Sequence, residues 1–319
     1  MAIKDSLLVP EKGHVVQSTI NYYLDPSKGG ATDFYPQTAS AFRRKFEQYP
    51  VQVTDIRGLD KEEFNLDKEG FTFVQHESEE KEFADDDEVK DRLFREAADI
   101  LKGVTGATQV RPFSHIIRRE RWEAAQNASD GKEDDELVRK KVPARFVHVD
   151  HSYGGAEEIL RVNVPDEEER ERLSKTRWAI INAWRPEKES EKLTFVFKTS
   201  IREVTRDPLA VCDARSVEES DLVGVIAHSP PPLPGSVQGG SMGKHFETWS
   251  VKANPAHRWY YKSRMTPQDV LLLKIFDSKR DGRARRVPHT SFYSDEDCGD
   301  SRTSIEIRCL VFWENESLE

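Results

Sequence analysis

The residues best suited to chemistry are His148 and Asp150, in the stretch RFVHVDHSYGGA. Side chains at i and i+2 of a β-strand point to the same face, so this imidazole and carboxylate converge on one point. Both groups are ligands that suit divalent iron, but two ligands do not complete a site. A third candidate, His289, follows in the stretch PHTSF. Two histidines and one carboxylate occupy one face of an octahedral ferrous ion and leave three positions open.

A cation and a hydroxyl follow the distal histidine, at Arg302 and Ser304. The open metal positions match a bidentate 2-oxo acid and O₂. The far carboxylate of 2-oxoglutarate needs a planar cationic fork and a hydroxyl, which these two residues offer. The order H-x-D, His, R-x-S therefore predicts an Fe(II) site with 2-oxoglutarate as cosubstrate and O₂ as oxidant. Arg308 is the next candidate to hold 2-oxoglutarate, and His257 is a rival to His289 as the third metal ligand.

Four further residues are candidates for substrate contacts, and three of them lie in the stretch NAWRP. Alternation along this predicted strand places Asn182 and Trp184 on one face, where Asn182 lines the pocket. Arg185 stands at the strand end, where it either holds an anionic group or forms a structural salt bridge. Tyr260, in HRWYY, either donates a hydrogen bond to the cosubstrate or packs in the core.

Many short β-rich runs separated by turn signals surround these motifs, together with an amphipathic helix predicted at 86–101. The pattern predicts a mainly β fold with helical decoration, built on a barrel or a two-sheet jelly roll. We expect a single domain over 1–319, with an N-terminal α/β extension over about 1–140 and a β core over about 141–315. The runs at 245–253 and 257–261 are expected to pair as neighbouring strands around Asn254-Pro255.

The composition limits the partners. The 319 residues carry a net charge of −10, which argues against a nucleic-acid partner. Three widely spaced cysteines form no CxxC pair, which favours a reducing, cytoplasmic location. No secretory signal is evident, and no run approaches the length of a membrane span. We therefore expect a small-molecule substrate and no membrane partner, while the composition leaves the oligomeric state open.

Two segments are candidates for the substrate mouth. The stretch Ser229–Gly243 combines prolines with glycines and cannot form regular structure. We expect it to lie over the metal together with Glu187–Asp207. The alternative is an ordinary surface connection far from the metal.

Ordered motifs along most of the chain resemble a known family. They are VTDIRG with FNLDKEGF, TGATQV, HVDHS with NAWRP, DPLAVCD, HRWYYKSRMTPQDVLLLKIFDS, and PHTSF with SIEIRCLVF. From about Ser18 to Phe312 the chain resembles the fungal and bacterial hydroxylase/desaturase family, which includes the aspergillic acid hydroxylase, the fungal gibberellin desaturase and a cephamycin methoxylation component. His151 and the long segment after NAWRP depart from the family pattern, so no relative's substrate is transferred.

The resemblance implies a double-stranded β-helix and an iron- and 2-oxoglutarate-dependent oxidation of a small secondary metabolite. It implies that His148, Asp150 and His289 are the iron ligands. It leaves hydroxylation, desaturation and oxidative cyclisation open. Two other functions are weighed against it: a non-catalytic small-molecule-binding β-barrel, and a zinc protein with the same three ligands. Zinc accepts such ligands readily, but the R-x-S motif has no role in a zinc hydrolase.

Overall fold

The computed structural model describes residues 13–59, 64–78, 89–187, 203–228 and 245–318. Within these ranges fourteen strands form two sheets. The strands are β1 (Val15–Tyr22), β2 (Asp33–Phe34), β3 (Glu47–Asp55), β4 (Phe71–Gln75), β5 (Gln109–Arg118), β6 (His148–Val149), β7 (Thr176–Pro186), β8 (Leu209–Cys212), β9 (Leu222–His228), β10 (His245–Val251), β11 (Trp259–Tyr261), β12 (Asp269–Asp277), β13 (His289–Ser291) and β14 (Ser304–Ser317). One sheet has the order β1-β3-β11-β8-β13-β6-β10-β9-β2, and the other has the order β4-β12-β7-β14-β5.

Apolar side chains from both sheets meet in the main core. Val211 of β8 packs there with Leu273 of β12 and Leu310 of β14. The alternate residues of β14, such as Ile305 and Ile307, face the other side of the smaller sheet, where a helix covers them. Strands buried on both faces read as nearly continuous apolar runs, as β12 does. The two packed sheets confirm the predicted mainly β jelly roll with helical decoration.

Five α-helices decorate the sheets in the described part of the chain. They are α1 (Ala39–Phe42), α2 (Phe94–Thr105), α3 (Trp122–Ser129), α4 (Tyr153–Asn163) and α5 (Glu167–Ser174). A π-helical turn at Val89–Leu93 leads into α2, and Gly106, in the left-handed region at φ 68°, ends it. This is the helix that its apolar periodicity predicts at 86–101, and it covers the outer face of the five-stranded sheet.

The predicted pairing of the runs 245–253 and 257–261 is wrong. β10 pairs with β6 and β9, whereas β11 pairs with β3 and β8. Four strand spacings of roughly 4.8 Å, about 19 Å, separate β10 from β11 in the sheet. The connection 252–258 can cover that distance at roughly 3.3 Å per residue. Asn254-Pro255 therefore marks a crossover, which turn residues alone do not distinguish from a hairpin.

Strands from before residue 140 lie at the edges of both sheets. β1, β3 and β2 flank the nine-stranded sheet, and β4 and β5 flank the five-stranded one. Strands from after residue 141 fill the centre of each sheet. This arrangement fits an N-terminal extension wrapped around a β core, and the division at about residue 140 stays a prediction.

Candidate metal centre

Two neighbouring strands bring the three predicted metal ligands together. His148 of β6 and His289 of β13 are direct cross-strand partners in the nine-stranded sheet, with ring centres 4.4 Å apart. Oδ1 of Asp150 lies 3.4 Å from Nε2 of His148 and 3.6 Å from Nε2 of His289. One ligand atom from each residue lies within 4.8 Å of the others, a spacing that suits a shared metal ion.

Backbone carbonyls orient the two imidazoles. Nδ1 of His148 is 2.9 Å from the carbonyl oxygen of Phe146, and Nδ1 of His289 is 3.1 Å from that of Val287. A carbonyl only accepts hydrogen bonds, so each Nδ1 carries the proton and each Nε2 offers its lone pair. Burial lowers the pKa of His148, and the neighbouring charge of His289 adds to the effect. The neutral form, which a metal requires, is thereby favoured at His148.

The second carboxylate oxygen of Asp150 is fixed by two donors from the opposite sheet. Nδ2 of Asn182 donates to Oδ2 over 2.8 Å, and Nε of Arg308 donates to the same atom over 3.0 Å. Asn182 and Arg308 face each other in the register of β7 and β14. Burial alone would raise the pKa of Asp150, but the positive charge of Arg308 holds this pKa well below its usual range. The carboxylate therefore stays ionised, with Oδ1 directed to the histidines.

The chain leaves Asp150 through a rigid turn into α4. The backbone N–H of Ser152 donates to the carbonyl of Glu247 on β10, and the Ser152 hydroxyl accepts from the N–H of Gly155. A side chain at Gly155 would collide with the same Glu247 carbonyl. The HSYGGA segment therefore anchors the end of the H-x-D motif to β10.

Arg302 and Ser304 are both buried, and Arg302 lies over the ring of Trp184. The guanidinium carbon of Arg302 lies 5.2 Å from the Trp184 ring centre, and Nη1 donates to the carbonyl of Asp207 over 2.6 Å. Nε of Arg302 and Oγ of Ser304 are buried without a hydrogen-bond partner in the described chain. Burial lowers the pKa of Arg302 to about 9, and the nearby Arg118 contributes. Arg302 remains a cation at neutral pH with no carboxylate among the described residues to pair it.

The chain is similar to known proteins in both sequence and structure. A sequence profile described as an oxidoreductase/YMDC permease-like domain matches residues 20–312. The chain is 42% identical to the hydroxylase/desaturase efuI of Hormonema carpetanum, over 95% of this chain and 97% of efuI. It is 41% identical to the hydroxylase/desaturase CTB9 of Cercospora beticola, over 98% of this chain and 90% of CTB9. The alpha-ketoglutarate-dependent dioxygenase phiK, from a fungal species, is 32% identical over 93% of this chain and 96% of phiK.

The chain belongs to the hydroxylase/desaturase family of iron- and 2-oxoglutarate-dependent oxygenases. A solved structure of the iron and alpha-ketoglutarate-dependent endoperoxidase NvfI matches with a TM-score of 0.70 and 24% identity, over 95% of this chain and 99% of NvfI. That likeness supports the jelly-roll fold. Membership of this family confirms the predicted enzyme class and disfavours the non-catalytic binding protein. In the described part of the chain, no helix is both long and apolar enough to cross a membrane.

A cavity of about 570 Å³ opens onto the oxygenase metal centre. His148, Asp150 and Arg308 line its floor, while Arg302 and Ser304 lie outside its described lining. Its walls come from α1, α3, β5, β10 and the segment leading into β6. Five aromatic side chains contribute to these walls: Phe34, Phe42, Trp122, Phe146 and Phe246. The space suits a small apolar molecule beside the three clustered ligands.

The other predicted site residues lie in different surroundings. Trp184 faces the space between the sheets, as Asn182 does, and backs Arg302. Arg185 points to the opposite side, where it bonds Glu96 and the carbonyls of His76 and Pro267, as in the salt-bridge alternative. Tyr260 packs on Phe64 and Phe71, and is not among the described cavity residues. The rival ligand His257 is held by Tyr22 and Asp221 instead.

Two predictions concern segments that the structure does not describe. The stretch Ser229–Gly243 lies outside the described residues, and so does 188–202, the larger part of Glu187–Asp207. The expected substrate mouth therefore stays a prediction.

Sequence reasoning missed two half-buried arginines of the cavity, Arg44 and Arg118. The second stands opposite Ser304 in the register of β5 and β14, and its Nη1 donates to the carbonyl of Val142 over 2.7 Å. A strand assignment for RPFSHIIRR with correct alternation would have placed Arg118 on the inner face. For Arg44 the sequence offers no comparable signal.

Proposed function

We propose that this protein oxidises a small secondary metabolite, with Fe(II) held by His148, Asp150 and His289 and with 2-oxoglutarate and O₂ as co-reactants. The main support for the proposal is that Nε2 of His148, Nε2 of His289 and Oδ1 of Asp150 converge on one point. Two histidines and a carboxylate with open positions are the ligand set typical of non-haem Fe(II) oxygenases. A zinc site would accept the same ligands but leaves Arg302 and Ser304 without a role.

Arg302 and Ser304 are the proposed site for the far carboxylate of 2-oxoglutarate. The unpartnered Nε of Arg302 and Oγ of Ser304 support this role, because buried donors are rarely left without acceptors. A carboxylate would pair with the cation and accept from both groups. The rival Arg308 is less suitable, since its guanidinium already bonds Asp150 and Glu306.

The bound iron, 2-oxoglutarate and O₂ together supply the oxidising power that removes hydrogen from a C–H bond, with succinate and CO₂ as the other products. The protein orients the ligands through Asn182 and Arg308. Its aromatic walls hold the substrate beside the metal and exclude bulk water. Hydroxylation, desaturation and cyclisation differ in where the substrate carbon lies, and each is compatible with this cavity.

The setting of the reaction is also proposed. We expect a cytoplasmic enzyme without nucleic-acid or membrane partners. The free cysteines Cys212, Cys298 and Cys309 support a reducing compartment. A fluorescent fusion imaged in a filamentous fungus tests the location, and concentration in an organelle would contradict it.

The decisive experiment is anaerobic titration of the full chain with Fe(II) and 2-oxoglutarate. We expect a visible charge-transfer absorption from the ferrous 2-oxoglutarate complex, followed by succinate formation when O₂ is admitted. Asp150→Ala and His289→Ala should lose the absorption, while His257→Gln should retain it. Activity with Zn(II) in the absence of 2-oxoglutarate would favour the zinc alternative and overturn this assignment.

A further inference from the structure

The unexplained group in the cavity wall is the guanidinium of Arg44, between α1 and β3. Its central carbon stands 4.1, 5.0 and 5.2 Å from the ring centres of Phe34, Phe46 and Phe146. Aromatic rings attract the positive charge. They offer no lone pair in the plane of the guanidinium, where its N–H donors point. The three rings therefore position the cation without satisfying its hydrogen bonds.

No acceptor in the described chain meets these donors. Nε of Arg44 is shielded from solvent and has no hydrogen-bond partner. No carboxylate of the described residues forms an ion pair with the group. Burial lowers the pKa of Arg44 to about 10, so it is still a cation at neutral pH. Arg44 is half-buried, and a cation whose Nε is shielded from water and unpartnered is stabilised when another molecule supplies a negatively charged acceptor.

The rest of the cavity does not supply that charge. Its lining holds five cationic side chains and one carboxylate, Asp150, which is fully engaged at the metal centre. Arg44 is the cation of the described lining that has a shielded, unpartnered nitrogen, whereas each of the other four has a protein partner or is exposed to solvent. These partners are Asp150 and Glu306 for Arg308, Glu120 for Lys140, the Val142 carbonyl for Arg118, and solvent for Lys141.

We propose that Arg44 binds an ionised acidic group of the substrate, so that the enzyme acts on an apolar skeleton bearing a carboxylate or an equally acidic group. The aromatic walls accept the skeleton, and the guanidinium fork accepts the anion. This inference rests on the proposed function, because it assigns the substrate class of that same site.

The geometry places this anchor at a useful distance from the metal centre. The Phe146 ring lies 5.2 Å from the guanidinium carbon and 4.7 Å from the His148 ring centre. The guanidinium carbon is therefore within the sum of the two, 9.9 Å, of that imidazole. An acidic group held by Arg44 leaves the rest of a small molecule to extend to the metal, so it fixes which carbon is presented.

The test compares two probes of one shape, 1-naphthoate and 1-naphthamide. Each is titrated by calorimetry into the full chain loaded anaerobically with Fe(II) and 2-oxoglutarate, so that the cosubstrate site is already filled. We expect naphthoate to bind about tenfold or more tightly than the amide, because only the acid pairs with the guanidinium. We expect the preference to weaken with added salt.

Substitutions at Arg44 test whether this residue causes the preference for naphthoate over naphthamide. Arg44→Gln removes the charge and should weaken naphthoate about tenfold while leaving naphthamide nearly unchanged. Arg44→Lys keeps the charge but lacks the planar guanidinium, so we expect it to retain part of the preference for naphthoate over naphthamide. It replaces Arg44→Gln in the test if that variant does not fold. Lys45→Gln is the matched control, because it makes the same change in net charge at an exposed neighbour off the cavity.

Equal affinities of the two probes for the unaltered chain would overturn the proposal, as would a preference that survives in Arg44→Gln. The charge-transfer absorption is recorded in the same samples to separate the two hypotheses. Its absence from the unaltered chain counts against the proposed iron and cosubstrate site. Its presence with equal probe affinities counts against the role of Arg44 alone.

Discussion

Asn182→Leu tests whether the opposite sheet orients the metal carboxylate. Asn182 donates to Oδ2 of Asp150 over 2.8 Å, and its own Oδ1 has no partner in the described chain. Leucine is close to asparagine in size, so the variant removes one donor and one unsatisfied acceptor without opening a large cavity. Asp150 keeps the second donor, Arg308. We therefore expect the fold to persist while the carboxylate loses part of its orientation.

The expected loss is in metal affinity. Removing a group that orients a metal ligand typically weakens the metal about 10–100-fold. This corresponds to about 1.4–2.8 kcal/mol of binding free energy. By contrast, Arg308→Met should lower the free energy of unfolding by about 3–5 kcal/mol, because it leaves Glu306 as an uncompensated buried charge. The asparagine variant thus separates metal orientation from stability, which the arginine variant does not.

The assay is an anaerobic competition titration of Fe(II) against a chelator, paired with urea unfolding of each variant. Asn21→Leu is the matched control, because the Asn21 side chain donates to the backbone carbonyl of Arg145 and bonds none of the candidate metal ligands. The control should lose stability and keep its iron affinity. Unchanged iron affinity in Asn182→Leu would refute the idea that Asn182 orients the carboxylate.

Three further predictions concern other parts of the molecule. His289→Ala should abolish iron binding and His257→Gln should not, by the same titration; the reverse result would mean that the third ligand is misassigned. Arg302→Lys should raise the KM for 2-oxoglutarate at least tenfold with little change in iron affinity, and an unchanged KM would remove the cosubstrate role. Burial raises the pKa of Asp297 from 3.8 to about 6. The charged form is therefore unfavourable in the folded chain, and the free energy of unfolding falls as pH rises between these values. Asp297→Asn should match the unaltered chain in urea unfolding near pH 4 and exceed it above pH 6, and a gain already complete at pH 4 would contradict this.

The convergence of the candidate ligands His148 and Asp150 could be predicted from the sequence because the H-x-D spacing and strand alternation constrain each other. Side chains two residues apart in a strand share a face, which brings His148 and Asp150 together. The strand itself is short, spanning His148–Val149. Alternation also placed Asn182 on the inner face correctly. Its bond to Asp150 could not be foreseen, because it depends on how the two sheets pack across the core.

Several features could not be predicted from the sequence because they depend on long-range packing. The sequence around Arg185 is compatible with a buried cation on either face of the sheet. The ion pair with Glu96 depends on where α2 packs, which the sequence does not indicate. Arg44 follows the short α1 in a segment without periodicity, so nothing local indicates its three aromatic neighbours. The crossover between β10 and β11 could not be predicted either, because turn residues do not indicate which strands pair with each other.

One strand, β14, links the metal centre to the proposed cosubstrate site. Ser304 and Arg308 stand at i and i+4, so both face the space between the sheets, about 13 Å apart at roughly 3.3 Å per residue. The register that opposes Arg308 to Asn182 also packs Leu310 into the core. A slip of one residue would turn all of these side chains towards α2 and lose both the core and the site. The spacing between Arg308, which bonds the carboxylate of Asp150, and Ser304 of the proposed cosubstrate site is therefore set by the same register that stabilises the fold, and neither of these two residues can shift along the strand without the other.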